Sequence, residues 1–262
     1  MKTATRARWS RLISWAIPAL LIAAVIVAWE LIVRLTDTPR WFLPPPSAVV
    51  SATIDSHRLM LHHTWVTLKE VLVGFAISVV LGLAFALAIA SSKIVERAFY
   101  PFVVASQAIP IIALAPILLI WFGYGLTPKV IVVALICFFP IVVNTVDGLR
   151  AVDPELVDLL RSMGASQWTI YRVIRIPSSL PYFFSGMRIA AAVSVIGALI
   201  GEWVGSSAGL GYLMIRSAAQ FLTARVFAAV LISALLGLAM FGFVSLLERL
   251  LLPWQHVRTL DE

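Results

Sequence analysis

Six stretches of this chain, residues 12–29, 71–92, 98–128, 130–146, 189–201 and 226–247, contain no Asp, Glu, Lys or Arg. A helix of roughly 20 apolar residues crosses the hydrocarbon layer of a bilayer. Within that layer every backbone N–H and C=O must find its partner inside the segment. The runs therefore predict an all-α, polytopic membrane protein with six transmembrane helices. The third run is longer than a crossing needs, so it is expected to include an interfacial entry and to bend at Pro101, Pro110 and Pro116. The fifth is the shortest, and Arg188 just before it is expected to snorkel to the cytoplasmic face. Composition excludes the alternative of a soluble core: hydrophobic residues make up 61% and charged ones 13% of the chain, against about 25% charged in soluble domains.

Orientation follows from the basic residues. Lys2, Arg6, Arg8 and Arg11 precede the first run, Lys93 and Arg97 separate the second from the third, and Arg150, Arg161, Arg172, Arg175 and Arg188 fall between the fourth and fifth. Cytoplasmic loops are the ones enriched in Lys and Arg. These segments and both termini are thus expected to be cytoplasmic, with the first run an uncleaved anchor. The net charge of +7 is then topology and phospholipid contact, not a nucleic-acid footprint. The chain divides on this reading into 1–64 (leader, first transmembrane helix and a periplasmic Pro-rich segment around Pro44–Pro46), 65–252 (a core of five transmembrane helices) and 253–262 (a cytoplasmic tail). The outer segment 204–225 has Gly205, Gly209 and Gly211 followed by a short helical pattern.

One long polar segment interrupts the apolar pattern. Between residues 150 and 181 the chain places Leu156, Leu159, Leu160 and Met163 on one helical face, with Glu155, Asp158, Arg161 and Ser162 opposite. Gly164 breaks that helix, and Ser166 is positioned to cap a second short one carrying Ile170, Val173, Ile174 and Pro177 on a common face. Two short amphipathic helices joined at a glycine form a knuckle. In a chain built for lipid, such a segment implies a cytoplasmic binding partner.

The knuckle resembles the coupling loop of permease subunits of bacterial binding-protein-dependent ABC importers. That pattern runs from an acidic-Ala-Ala triplet through a glycine to I-x-L-P. Here Asp158 stands at the acidic position, Leu159 and Leu160 replace the alanines, Gly164 is the glycine, followed by Ala165 and Ser166, and Ile174, Ile176 and Pro177 fill the end. Further matches, LPPPSAV from Leu43, WFGYG from Trp121 with Lys129 following, SGMRIA from Ser185 and GLGYLM from Gly209, are similar to the nitrate/sulfonate/taurine-type branch, which includes thiamine-pyrimidine and riboflavin precursor relatives. The resemblance implies a type I importer permease fold in the bacterial inner membrane and a second permease copy, as a homodimer. It implies a cytoplasmic ABC ATPase dimer on the knuckles, an extracytoplasmic solute-binding protein and surrounding lipid. It also implies that ATP and Mg belong to the partner ATPase, and that this chain binds no cofactor and catalyses no bond chemistry. The solute would be a sulfonate- or nitrate-type anion or a vitamin precursor.

Read from the residues alone, no G-x-x-x-x-G-K-[ST] phosphate loop occurs, which agrees with ATP hydrolysis elsewhere. His57, His62 and His63 cluster without a matching cysteine or fixed-face spacing, and are expected to be surface or interfacial residues, with no metal site. The lone Cys137 is expected to pack. The few polar residues inside apolar runs, Ser106, Gln107, Asn144, Ser194 and Glu202, are candidates to line a pathway or gate, because polar groups in hydrocarbon face the bundle interior or a wet route. For Glu202 an arginine-paired interfacial carboxylate is the equal alternative. Gly186, Ala190, Ser194, Gly197 and Gly201 form a stripe of small side chains, which either packs against another helix of the same chain or lines a dimer centre. An ion-coupled secondary transporter or channel remains the alternative class; it would need a titratable residue at mid-span, and none is evident in the runs.

Overall fold

The computed structural model describes residues 2–255. Among these the chain is helical throughout: α1 (Lys2–Leu35), α2 (Pro46–Asp55), α3 (His57–Ser91), α4 (Lys93–Ser106), α5 (Ile111–Phe122), α6 (Leu126–Arg150), α7 (Pro154–Ser162), α8 (Gln167–Ile170), a π-helical turn (Tyr171–Arg175), α9 (Ile176–Gly205), α10 (Leu210–Ala219), α11 (Thr223–Leu251) and a closing 3₁₀ turn (Pro253–Gln255). It forms two compact units, one of Met1–Met60 with Met214–Val230 and one of Leu61–Leu213 with Leu231–Glu262.

Five helical segments among the described residues are long and apolar enough to cross a membrane: Ala16–Leu35, His57–Ser91, Leu126–Arg150, Gln167–Gly205 and Thr223–Leu251. The expected sixth, residues 98–128, is not one helix. Pro110 has no N–H to continue the ladder, and the chain breaks between α4 and α5, leaving only Ile111–Phe122 as a shorter apolar helix. The fifth run is longer than its charge-free core indicated, because the second half of the knuckle is continuous with it. Pro177 cannot donate to the Val173 carbonyl. The register shift this requires is taken up by the π turn at Tyr171–Arg175, and the helix runs on to Gly205.

In the first unit, Pro45 caps α2 without a side-chain hydrogen bond. Glu30 of α1 supplies the missing acceptor: Ser47 donates its backbone N–H at 3.0 Å and its hydroxyl at 2.8 Å to that carboxylate. Trp29 packs on Phe227 with ring centroids 5.7 Å apart.

The second unit is built on α6 and α9, its most extensively packed pair. The predicted stripe of small residues is what lets them approach. A Cβ added at Gly186 would lie 2.6 Å from the Pro140 carbonyl oxygen, one at Gly197 3.0 Å from Val133 Cα, and one at Gly201 3.0 Å from Lys129 Cα. In lipid, where water exclusion does not drive helix association, such close backbone packing does. The other side of α6 takes α3 in the same way, with Gly74 against Val133 and Gly82 against Ile141. Cys137 is fully buried at this junction, its thiol 3.3 Å from the Ala190 carbonyl oxygen. Arg188 does not simply reach for an aqueous face. It pairs with Glu248 of α11 at 2.9 Å, which neutralises both on facing helices.

Candidate functional site

The same three helices, α3, α6 and α9, carry a functional candidate at each end. Lys129 and Arg150 mark the two ends of α6, about 31 Å apart at 1.5 Å per residue.

At one end is the knuckle. Asp153 caps α7 by accepting the Glu155 N–H at 2.9 Å, and Pro154 occupies the first turn, where its missing N–H costs nothing. The helix stops as its sequence dictates: Gly164 takes φ +80°, its N–H returns to the Arg161 carbonyl, and the Ala165 N–H returns to Leu160. Ser166 then caps α8 by accepting the Thr169 N–H at 3.2 Å. Asp158 is exposed and pairs with Arg161 at 3.2 Å. Ile174 and Ile176 are half-buried and Pro177 is exposed.

Of the predicted apolar face, Leu156, Leu159 and Met163 are exposed, Met163 by 75%, while Leu160 is half-buried. Trp168 is 69% exposed across the turn. The residues that anchor the knuckle to its own chain are instead Val157 and Ile170, both buried. Tyr171 adds a polar anchor, its hydroxyl donating to the Ala90 carbonyl in the last turn of α3 while Arg175 lies 4.9 Å from its ring. The knuckle is thus held rigidly with an apolar face turned outward.

At the other end is a buried polar cluster. Lys129 of α6 donates to Glu70 of α3 and to Ser206, both at 2.7 Å. Glu202 of α9 is 1% exposed and accepts the Thr67 hydroxyl at 2.6 Å and the Gly211 N–H at 2.5 Å. Leu210 donates its N–H to Thr67 Oγ1, and Gly209 donates to His63 Nδ1, each at 2.9 Å. The first N–H groups of α10, which have no partner within the helix, thus end on three side chains from α3 and α9. Glu202 places its carboxyl oxygens at the positive end of that helix. Gly209 sits at φ +117°, and any Cβ there would run into the Glu202 carboxylate. Glu70 Oε2 is buried without a donor. A cavity of about 270 Å³ opens beside the cluster, lined by Tyr124, Gly125, Lys129, Gly205, Ser206 and Ser207.

The sequence placed only Glu202 here, with an arginine as its alternative partner. The structure gives it the Thr67 hydroxyl and the Gly211 N–H, with Lys129 as the local cation. His63, expected at a surface, is buried. Among the other pathway candidates, Ser194 is fully buried and donates to the Ala191 carbonyl of its own helix at 2.7 Å. Gly197 is closed off by Val133 of α6. Asn144 donates back to Pro140 at 2.8 Å. These three are engaged within the α6–α9 packing rather than facing open space. Gln107 is exposed in the α4–α5 break; the side chain of Ser106 lies outside the described residues. His63, Thr67 and Glu70 were legible in principle as polar residues at i, i+4 and i+7 on one face of an apolar helix, and Lys129 as the lone charge between two apolar runs.

Residues 78–252 match the family model described as the inner membrane component of binding-protein-dependent transport systems. The chain belongs to this family. It is 44% identical over 239 residues to the formylaminopyrimidine transport permease protein ThiX of Halalkalibacterium halodurans, covering 91% of this chain and 95% of that one. It is 37% identical to the riboflavin transport system permease protein RibX of Chloroflexus aurantiacus, covering 88% of this chain and 87% of that one. To the putative aliphatic sulfonates transport permease protein SsuC of Bacillus subtilis it is 32% identical, covering 92% and 88%. The fold is shared with a chain of an inward-facing MetNI methionine ABC transporter at TM-score 0.59 and 20% identity, covering 73% of this chain and 97% of that one. It is shared likewise with a chain of an amino acid ABC transporter at TM-score 0.61 and 22% identity, covering 75% and 96%. With five apolar helices long enough to span among the described residues, the chain is a multi-pass inner-membrane permease subunit of an ABC importer.

Proposed function

We propose that this permease forms the non-catalytic transmembrane wall of an importer for a vitamin precursor of the formylaminopyrimidine type. Two copies would enclose the pathway. A cytoplasmic ABC ATPase dimer would hold ATP and Mg and dock on the knuckles through Asp158, Leu159, Leu160, Gly164, Ala165, Ser166, Ile174, Ile176 and Pro177. An extracytoplasmic binding protein would deliver the solute. The α4–α5 pair would make a sixth, bent crossing, with both termini cytoplasmic by the Lys and Arg bias.

The observation that carries the ATPase reading is the outward apolar face of Leu156, Leu159 and Met163 on a knuckle that Tyr171 fastens to α3 and that buries Val157 and Ile170. ATP-driven approach of the ATPases would move the knuckles as rigid handles. Because each knuckle is continuous with α9, displacement at one end is transmitted to the Glu202 end. The solute class rests on sequence similarity: identity to the formylaminopyrimidine relative, 44%, exceeds that to the sulfonate relative, 32%. Uptake into proteoliposomes containing the permease, its ATPase and its binding protein tests both parts. ATP-dependent accumulation of formylaminopyrimidine and not of an alkanesulfonate is expected. The reverse preference would move the substrate to the sulfonate class, and uptake without any ATPase would favour an ion-coupled transporter.

A further inference from the structure

Behind the knuckle lies a cleft of about 780 Å³. It is bounded by the end of α3 at Ala90 and Ser91, the start of α4 at Lys93 and Glu96, the end of α6 at Leu149 and Arg150, and the knuckle itself at Arg161, Gln167, Tyr171 and Arg175. Four cationic side chains, Lys93, Arg150, Arg161 and Arg175, thus converge on a space with one carboxylate, Glu96. That carboxylate already holds Arg150 at 2.8 Å. Arg161 is drawn to the exposed Asp158 at 3.2 Å, a weak surface pair.

Arg175 is the informative residue. One terminal nitrogen donates to the Tyr171 hydroxyl at 3.2 Å and the guanidinium rests 4.9 Å from that ring, so its position is fixed by the knuckle itself and uses no carboxylate. A guanidinium held in place by an aromatic ring, on a cleft it shares with a lysine and two further arginines, matches the oxygens of a phosphate. The level is right as well. The cleft sits where α3 and α6 end, and α4 beside it exposes Ile94 by 81%, Phe102 by 74% and Phe99 by 52%, an apolar surface suited to the membrane. Basic pockets at the ends of membrane helices take lipid headgroups for these reasons.

We propose that this cleft binds a phosphate group, presented either by an anionic phospholipid headgroup or by a soluble phosphate. Occupancy would bridge the cations of the knuckle to those at the start of α4 and the end of α6. The binding claim does not depend on which solute is transported.

The full chain, purified in detergent, is offered phosphatidylglycerol or phosphatidylcholine and read by native mass spectrometry, with thermal unfolding in inorganic phosphate as a second arm. Phosphatidylglycerol is expected to be retained about tenfold better than phosphatidylcholine, and Lys93→Gln with Arg175→Gln to abolish that preference. Arg172→Gln, on the same π turn but outside the cleft lining, should leave it intact. Lys93→Gln alone changes an exposed side chain and should weaken retention several-fold with an unchanged elution profile, which guards against misfolding of the Arg175 variant. Stabilisation by inorganic phosphate that disappears in the same variants, without lipid preference, assigns the site to a soluble ligand. Equal retention of both lipids with no phosphate effect overturns the proposal, as does equal damage by Arg172→Gln. The cleft would then serve only acidic residues of a protein partner.

Discussion

Lys129 places its ammonium 2.7 Å from the Glu70 carboxylate, with the two side chains only 10% and 1% exposed. The pair joins α6 to α3 at the end of the bundle where Glu202 of α9 closes over the start of α10. Two carboxylates and one lysine share this site. Removing the cation alone would leave both buried carboxylates without one, whereas removing Glu70 with it leaves only Glu202, which keeps the Thr67 hydroxyl and the Gly211 N–H.

Lys129→Met is therefore expected to destabilise the protein by about 3–5 kcal/mol, and Lys129→Met with Glu70→Gln to recover more than half of that loss. Thermal unfolding of the detergent-solubilised variants measures both. Additive losses in the double variant would show that the pair is not coupled.

Gly209 makes a sharper test of the α10 attachment. Its φ of +117° and the Glu202 carboxylate lying where a Cβ would go leave no room for a side chain. Gly209→Ala should release α10 from His63, Thr67 and Glu202 and suppress uptake. Gly242→Ala, where a Cβ meets nothing within 4 Å, should behave as the wild type. Limited proteolysis in the 204–213 segment, together with transport, reports the difference. An unchanged cleavage pattern in Gly209→Ala would remove the hydrogen-bond network as the fastening.

Much of this architecture is legible in the sequence, for a physical reason. A charge-free run of the right length has few alternatives in lipid, so α1, α3, α6, α9 and α11 were each marked by one. The knuckle was legible because its punctuation is local: Gly164 and Ser166 do what glycine and serine do at helix ends. Counting uncharged runs, however, treats every charge as a boundary. It therefore cut the chain at Glu70 and Lys129, the residues that meet across 59 positions of sequence. It likewise hid the continuity of α8, the π turn and α9, since Arg172, Arg175 and Arg188 hold the fifth run back to residue 189. The sequence predicts a bend at Pro110, and the structure ends α4 at Ser106 and restarts at Ile111.

The knuckle variants separate insertion from coupling. Proline cannot reach φ +80°, and at position 164 it would also remove the N–H that returns to Arg161. Gly164→Pro and Asp158→Arg are expected to leave the permease in the membrane at normal levels while cutting ATPase capture and uptake by at least about tenfold. Pull-down of the ATPase and transport in the same cells provide the readout. Full capture by both variants would exclude this loop as the docking element.

The last test concerns the small-residue face of α9. Ser194 is fully buried and Gly197 meets the Val133 backbone, so the stripe faces α6 of its own chain. Ser194→Cys in a Cys137→Ser background should then give no cross-link between two copies, whatever the length of the reagent. Gly197→Leu should act as an overpacked core substitution, lowering stability by about 1–3 kcal/mol or more, because α6 cannot withdraw without also leaving α3. Gly237→Ala supplies the contrast: a Cβ there first meets the Ala192 carbonyl oxygen at 3.5 Å, an ordinary contact, and should cost little. Efficient cross-linking through Ser194→Cys would mean that α6 and α9 separate in the assembled permease, and that the stripe meets a second copy instead.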